Sequence, residues 1–334
     1  MSKKDDNNEK GITRRGFIKN TAMAGAGIMI AGSGILGGSK PAMAASSGNA
    51  VVDEIYRQAM DFHLHAGPDL INRKYDDRTL ARLCMDTGLT GFMLKSHLTC
   101  TAERVYYLRK EFPKLETFGA MALNRTWGGV NVDAVEVMHK LKGGGHHLRQ
   151  VYFPTQDAEN DEKTKLKEHV KVFDDGKLTK ESMEVIKYCA KNKLIVSSGH
   201  LAAHEAFELA EIAREMGCER VVCTHVTNRN TEMSVENQKK MAAMGVYLEY
   251  NYLQINYYNQ DSKSPKGQSP QKIAKWVKEV GADNIIFATD FGQTDNPTTP
   301  EGMRMLITEM LKLGVTKEEL IKMTSTNPYK ILRV

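Results

Sequence analysis

From residue 50 onward, short apolar runs alternate with longer amphipathic stretches, and this alternation limits the fold more than any other feature of the chain. It is the pattern of a parallel sheet whose strands are joined by crossover helices. The expected strands are 60–65, 91–97, 115–123, 150–155, 194–200, 220–225, 246–252 and 284–290. The expected helices lie near 78–88, 101–112, 132–142, 180–192, 204–217, 232–244, 270–281 and 300–313. Ala206, Leu209, Ala210, Ala213 and Met216 have the three-and-four spacing of a buried helix face. Gly88, Gly217, Gly245 and Gly281 follow helices where a left-handed cap is expected, and Asn131, Thr179 and Thr299 are the expected N-caps. Eight such units in about 250–290 residues have the size of a TIM barrel, so residues 50–334 are expected to form one (β/α)₈ domain. A doubly wound open sheet is the runner-up, but no glycine-rich phosphate loop follows the first strand. Segments 156–178 and 253–269 follow strands and are expected as long loops over the C-terminal mouth.

Residues 1–44 read as an address. Thr13-Arg14-Arg15-Gly16-Phe17-Ile18-Lys19 leads into a Gly/Ala-diluted apolar run from Ala22 to Gly38, and Ala42-Met43-Ala44 closes the stretch. This order describes a secretory signal of the twin-arginine kind, with cleavage expected after Ala44. The expectation is export by the twin-arginine machinery to a periplasmic or extracytoplasmic location, without a permanent membrane anchor. The run is short and glycine-rich for a spanning helix, which needs about 20 consecutive apolar residues. The segment carries seven Lys and Arg against three Asp and Glu, whereas the whole chain is +5. About +1 remains for the rest, too little for a nucleic-acid surface. Cys84, Cys100, Cys189, Cys218 and Cys223 show no paired spacing and read as free thiols. Twin-arginine export carries folded proteins, which fits free thiols and a metal loaded beforehand.

The strongest chemical signal is Asp61-Phe62-His63-Leu64-His65 at the end of the first strand. Alternation along a strand points His63 and His65 the same way, into the barrel, and Phe62 outward. Two converging imidazoles suit a divalent metal, although HxH alone also arises by chance. His200, His225 and Asp290 each terminate an apolar run, which is where barrel enzymes place their reactive groups. His139, His146, His147, His169 and His204 fall in helices or preceding loops and read as structural or solvated. The 18 methionines read as core filler.

This layout of HxH on the first strand, His on the fifth and sixth and Asp on the eighth resembles the amidohydrolase superfamily. His63-Leu64-His65-Ala66-Gly67-Pro68-Asp69, Leu94-Lys95-Ser96-His97, Phe153-Pro154-Thr155, Gly199-His200-Leu201 and Thr289-Asp290-Phe291-Gly292 are similar to a little-characterised branch of it. The resemblance covers roughly 50–334. It implies that His63, His65, His200 and Asp290 ligate a divalent metal, with zinc first and manganese or iron as alternatives. His225 is then a ligand of a second ion or a neutral donor that polarises a substrate carbonyl. Asp290 is implied as the base that takes a proton from water and returns it to the leaving group. Asp61 is expected as a partner that fixes an imidazole tautomer.

The fourth strand departs from the two-metal pattern. It ends Val151-Tyr152-Phe153-Pro154-Thr155 and offers neither lysine nor glutamate. Lys95 is the lysine in the right layer. Two readings stand: a carbamylated Lys95 bridging two metals, or a protonated Lys95 that binds an anionic substrate or pairs with a carboxylate around one metal. His97, Arg125, Glu249 and Asn251 are candidate substrate contacts. Trp127, Tyr252, Tyr257 and Tyr258 are candidate pocket aromatics. The functions in contention are hydrolysis of an amide, lactone or ester-like bond in a small molecule, non-oxidative decarboxylation of a small aromatic acid, and metal binding without turnover. A homo-oligomer is an open expectation.

Overall fold

The computed structural model describes residues 49–333 except 143–146, 162–167 and 265. The expected export signal, its cleavage site and His146 lie outside the described residues.

Eight parallel strands form one sheet in the order β1 (Met60–Leu64), β2 (Gly91–Leu94), β3 (Glu116–Ala122), β4 (Leu148–Tyr152), β7 (Ile195–Ser197), β8 (Val221–Cys223), β9 (Tyr247–Asn251) and β10 (Ile285–Ala288). A helix follows each: α2 (Asp77–Thr87), α3 (Ala102–Glu111), α4 (Val132–His139), α5 (Lys180–Asn192), α6 (Ala203–Glu215), α7 (Val235–Ala243), α9 (Pro270–Val280) and α10 (Thr299–Lys312). Every expected strand and helix is present. The (β/α)₈ barrel is the fold, and the open sheet is excluded by the contact between its two edges. There Asp290 N–H donates to His63 O at 2.8 Å and His65 N–H donates to Phe291 O at 2.7 Å.

Asp61 fastens this seam. Its carboxylate accepts from Thr289 N at 3.0 Å, from the Thr289 hydroxyl, and from His63 N at 3.2 Å. Asp61 therefore ties the first strand to the last and does not fix an imidazole, as the sequence had suggested. Burial raises its carboxyl to about 7, against the pull of the Thr289 donors.

The lumen is filled by Met60, Phe62, Met93, Phe118, Ala120, Ala122, Tyr152, Ile195, Val222, Tyr247, Ile286 and Ala288, a cluster that draws on every barrel strand. Phe62 belongs to this cluster, so its expected outward direction is corrected. The cause is a bulge: Asp61 pairs with Phe92 and Leu64 with Leu94, leaving Phe62 and His63 opposite Met93 alone. The extra residue resets the alternation, so Phe62, His63 and His65 all serve the interior while Leu64 packs under the helices. Burying a side chain such as Phe62 is worth about 1.5–3 kcal/mol.

Several local signals hold. Asn131 and Thr179 cap α4 and α5, and Gly88, Gly217, Gly245 and Gly281 have positive φ. The α10 cap is Thr298 rather than Thr299, because Glu301 reaches back to Thr298 N and completes a capping box. The five cysteines are buried and unpaired. No described helix is long and apolar enough to cross a membrane.

Two loop expectations need correction. Residues Tyr252–Gln260 form α8, a helix buried over Tyr252 to Asn256 that carries no amphipathic pattern to reveal it. Within 156–178, β5 (Phe173–Asp174) and β6 (Lys177–Leu178) make a small hairpin turned by Asp175 (φ 48°) and Gly176 (φ 71°), the left-handed pair that an Asp-Gly turn supplies. Before the barrel stands α1 (Ala50–Tyr56); after it come α11 (Lys317–Ile321) and α12 (Asn327–Leu332).

Candidate metal centre

Five imidazoles close a ring at the C-terminal mouth. Ring centroids are 5.2 Å apart for His63–His65, 5.1 Å for His65–His97, 5.4 Å for His97–His200, 5.2 Å for His200–His225 and 5.0 Å for His225–His63. The bulge in β1 supplies the first pair. His97 follows β2, and His200 and His225 follow β7 and β8 by two or three residues rather than lying within the strands.

Tight turns after the strands aim these groups. His225 (φ 56°) and Asp290 (φ 57°) both hold left-handed backbone, a conformation that costs a non-glycine residue of order 1–3 kcal/mol and concentrates at working sites. Gly199 (φ 63°) and Gly292 (φ 140°) flank the site where a Cβ would lie 2.2 Å from Phe153 O and His65 O respectively, so only glycine fits.

Asp290 sits under the ring. Its Oδ1 lies 3.1 Å from His65 Nε2 and 3.4 Å from His63 Nε2, and its Oδ2 lies 3.5 Å from His225 Nε2. His63 Nδ1 pairs with Glu249 Oε1 at 2.7 Å, and His200 Nδ1 with Asp161 Oδ2 at 2.8 Å. A carboxylate acceptor there places the proton on Nδ1 and leaves Nε2 as a lone pair. His97 Nδ1 lies 2.9 Å from Thr155 Oγ1, which Asn124 Nδ2 also contacts at 2.7 Å.

Burial pushes the imidazoles of His63, His65, His97 and His225 well below their ordinary value and lowers His200 too, where Asp161 resists. They are neutral at pH 7, the form that ligates metal. Burial draws the Lys95 ammonium down, against the charges of Asp290 and Glu249, and pushes the Glu249 carboxyl up, against the charge of Lys95.

The donor set fits a cation. His63 Nε2, His200 Nε2 and His225 Nε2 are buried without a hydrogen-bond partner, as are Lys95 Nζ, Glu249 Oε2 and Asn251 Oδ1. Neutral imidazole lone pairs crowded against a carboxylate repel one another unless a positive charge lies between them. In a tetrahedral site with bonds of about 2.0–2.1 Å, ligand atoms are about 3.3–3.4 Å apart. The contacts of Asp290 Oδ1 bracket that spacing. Among the described residues two trios could hold an ion: His63, His65 and Asp290, and His63, His225 and Glu249.

Of the residues expected from sequence, His63, His65, His97, His200, His225, Lys95, Glu249, Asn251 and Asp290 come together in this layer. His200 enters the ring but neither trio. Arg125 turns away: its half-exposed guanidinium pairs with Asp157 at 3.1 Å. Trp127 lies in the short turn beside it, and Tyr252 donates to Glu309. Of the histidines read as structural or solvated, His139 meets Tyr188 and His169 lies near Glu159. Sequence reasoning missed Asp161, which no local pattern marks, and the buried Arg73–Asp69 pair at 2.8 Å in the loop after β1. For Asp69 the signal was present in the motif that follows His65.

Residues 58–249 match a family described as a family of unknown function (DUF6282). The chain belongs to that family. The matched span holds every member of the imidazole ring together with Lys95 and Glu249, and stops before Asp290. No curated protein matches the chain. Solved structures share its fold. An amidohydrolase from Burkholderia multivorans with bound zinc is 10% identical with a TM-score of 0.57, covering 83% of this chain and 99% of its own. An amidohydrolase from Pseudomonas aeruginosa is 14% identical with a TM-score of 0.55, covering 84% and 98%. An organophosphorus hydrolase from Deinococcus radiodurans is 12% identical with a TM-score of 0.54, covering 83% and 93%.

Proposed function

We propose that this member of the family is a metal-dependent hydrolase that directs water onto an amide, lactone or ester-like bond of a small molecule. One observation carries the reading: a single carboxylate, Asp290, faces the Nε2 atoms of His63, His65 and His225 within 3.1–3.5 Å. His63, His65 and Asp290 would hold a divalent cation, with His225 stacked beside His63 and His200 across the ring. Zinc suits these nitrogen and oxygen donors, and manganese or iron are the alternatives. When bound, the cation supplies Lewis acidity, which makes a water acidic near neutral pH and polarises a carbonyl.

The chain's own groups do the rest. Asp290 takes the proton of the attacking water on Oδ2, the oxygen turned to His225, and returns it to the leaving group. The left-handed turn at Asp290 fixes that carboxylate, so it pays little reorganisation during the reaction. His225, neutral and buried next to Oδ2, would meet the substrate carbonyl. Glu249 and Asp161 hold the tautomers of His63 and His200. The similarity in fold to hydrolases, one of them with bound zinc, supports this reading.

The test is turnover of the zinc-loaded protein against lactones, N-acyl amino acids and small aromatic carboxylates. Proton release with a new carboxylate is expected, and Asp290→Asn is expected to lower kcat by about 10²–10⁴. Release of carbon dioxide instead would assign a decarboxylase. Undiminished turnover by Asp290→Asn would remove the base from the scheme.

A further inference from the structure

We propose that the substrate of this site carries a carboxylate and that the Lys95 ammonium recognises it. This rests on the hydrolase reading above and adds the class of molecule that the site accepts.

Lys95 directly follows β2, and its N–H donates to Leu64 O at 2.9 Å, which sets its Cα beside the strand bearing His63 and His65. The residue is fully buried and Nζ has no hydrogen-bond partner. On the lumen side the Tyr152 ring lies 4.5 Å from Nζ and closes that direction with a cation–π contact. The ammonium donors therefore face the imidazole layer. An ammonium at this depth is costly unless it is paired.

The nearby carboxylates turn their bonded oxygens to other groups. Asp290 lies against three imidazoles, and Glu249 Oε1 serves His63 Nδ1 and Asn251 Nδ2. Among the described residues none forms an ion pair with Lys95. Arg73, the other cation whose field reaches the layer, is neutralised by Asp69 at 2.8 Å. Lys95 is left as a fixed cation with open donors.

Two acceptors in the same layer, Glu249 Oε2 and Asn251 Oδ1, are also buried and unpaired. A complementary ligand offers an anionic oxygen to Lys95 and an N–H to these acceptors. A small amide bearing a carboxylate, such as an N-acyl amino acid, has both. In its hydrolysis water adds to the acyl carbon, the C–N bond breaks, and the proton that Asp290 takes from water passes to the leaving nitrogen. The products are a carboxylic acid and the free amino acid.

The experiment compares N-acyl amino acids with their neutral carboxamides on the zinc-loaded full chain. Wild type is expected to favour the carboxylate in kcat/KM by about 10- to 150-fold, the range of one charge-assisted hydrogen bond. In Lys95→Met that ratio falls toward one while bound zinc, measured by elemental analysis, is retained. Lys95→Gln serves as a second variant should the methionine chain fail to fold. Calorimetry on the metal-free protein gives a readout independent of turnover: N-acetylglycine binds wild type more tightly than N-acetylglycinamide, and Lys95→Met abolishes the difference.

Equal handling of the charged and neutral partners by wild type, in turnover and in calorimetry, overturns the inference and leaves the hydrolase reading intact. No turnover of any amide, with the calorimetric preference present, upholds Lys95 as the anion site and counts against the hydrolase. Loss of zinc in Lys95→Met, together with a carbamate signal after labelling with isotopic bicarbonate, overturns it by assigning the lysine to the metal.

Discussion

Replacing Glu249 by leucine tests how the site is held together. The Glu249 carboxylate receives His63 Nδ1–H at 2.7 Å, and both side chains have 0% exposure, so water cannot substitute. Without that acceptor the imidazole is free to carry its proton on Nε2, the nitrogen 3.4 Å from Asp290, and that tautomer has no lone pair for a cation. Loss of such an outer partner typically costs about 10- to 100-fold in metal affinity. This equals about 1.4–2.8 kcal/mol at 1.4 kcal/mol per tenfold. Glu249→Gln keeps an amide oxygen that accepts from Nδ1–H, so its loss should stay within about tenfold. Chelator competition at neutral pH measures both. Zinc affinity within about twofold of wild type in Glu249→Leu would refute the orienting role. A loss well beyond a hundredfold in both variants would refute it too, because it would make Glu249 itself a ligand.

Two further outcomes follow from other parts of the chain. Asp61→Ala strips the acceptor from Thr289 N, the Thr289 hydroxyl and His63 N, and should cost about 3–6 kcal/mol at about 1–2 kcal/mol per stranded donor. Urea unfolding of the metal-free protein reads this, and a loss below about 1 kcal/mol would show that the seam does not depend on Asp61. Export through the twin-arginine route is proposed from residues 1–44, so converting Arg14 and Arg15 to lysine should retain uncleaved chain in the cytoplasm. Amino-terminal sequencing of exported wild type should begin at Ala45; an uncleaved exported chain would contradict the signal reading.

The barrel was legible because short apolar runs alternate with amphipathic stretches of three-and-four spacing, and the runs before His200, His225 and Asp290 each end in a polar residue. His63, His65, His225 and Asp290 could be picked out for the same reason. What escaped has physical causes. Strand alternation cannot reveal a bulge, so Phe62 was turned the wrong way and Asp61 was given an imidazole to orient when it clasps Thr289. The α8 helix is buried over its first five residues, and a helix buried all round has no stripe to detect. Arg125 sits beside the mouth in sequence, yet Asp157, 32 positions away, draws it aside. Asp161 finds His200 across 39 positions, a pairing that only the closed barrel creates.

Metal content tests the account most directly. Elemental analysis of the purified chain after gel filtration should find one or two divalent ions per chain, with His65→Ala and Asp290→Ala each losing them while still folding. A chain that emerges folded and metal-free from a zinc-supplemented preparation would contradict the central claim. So would variants at His65 and Asp290 that bind metal as wild type does.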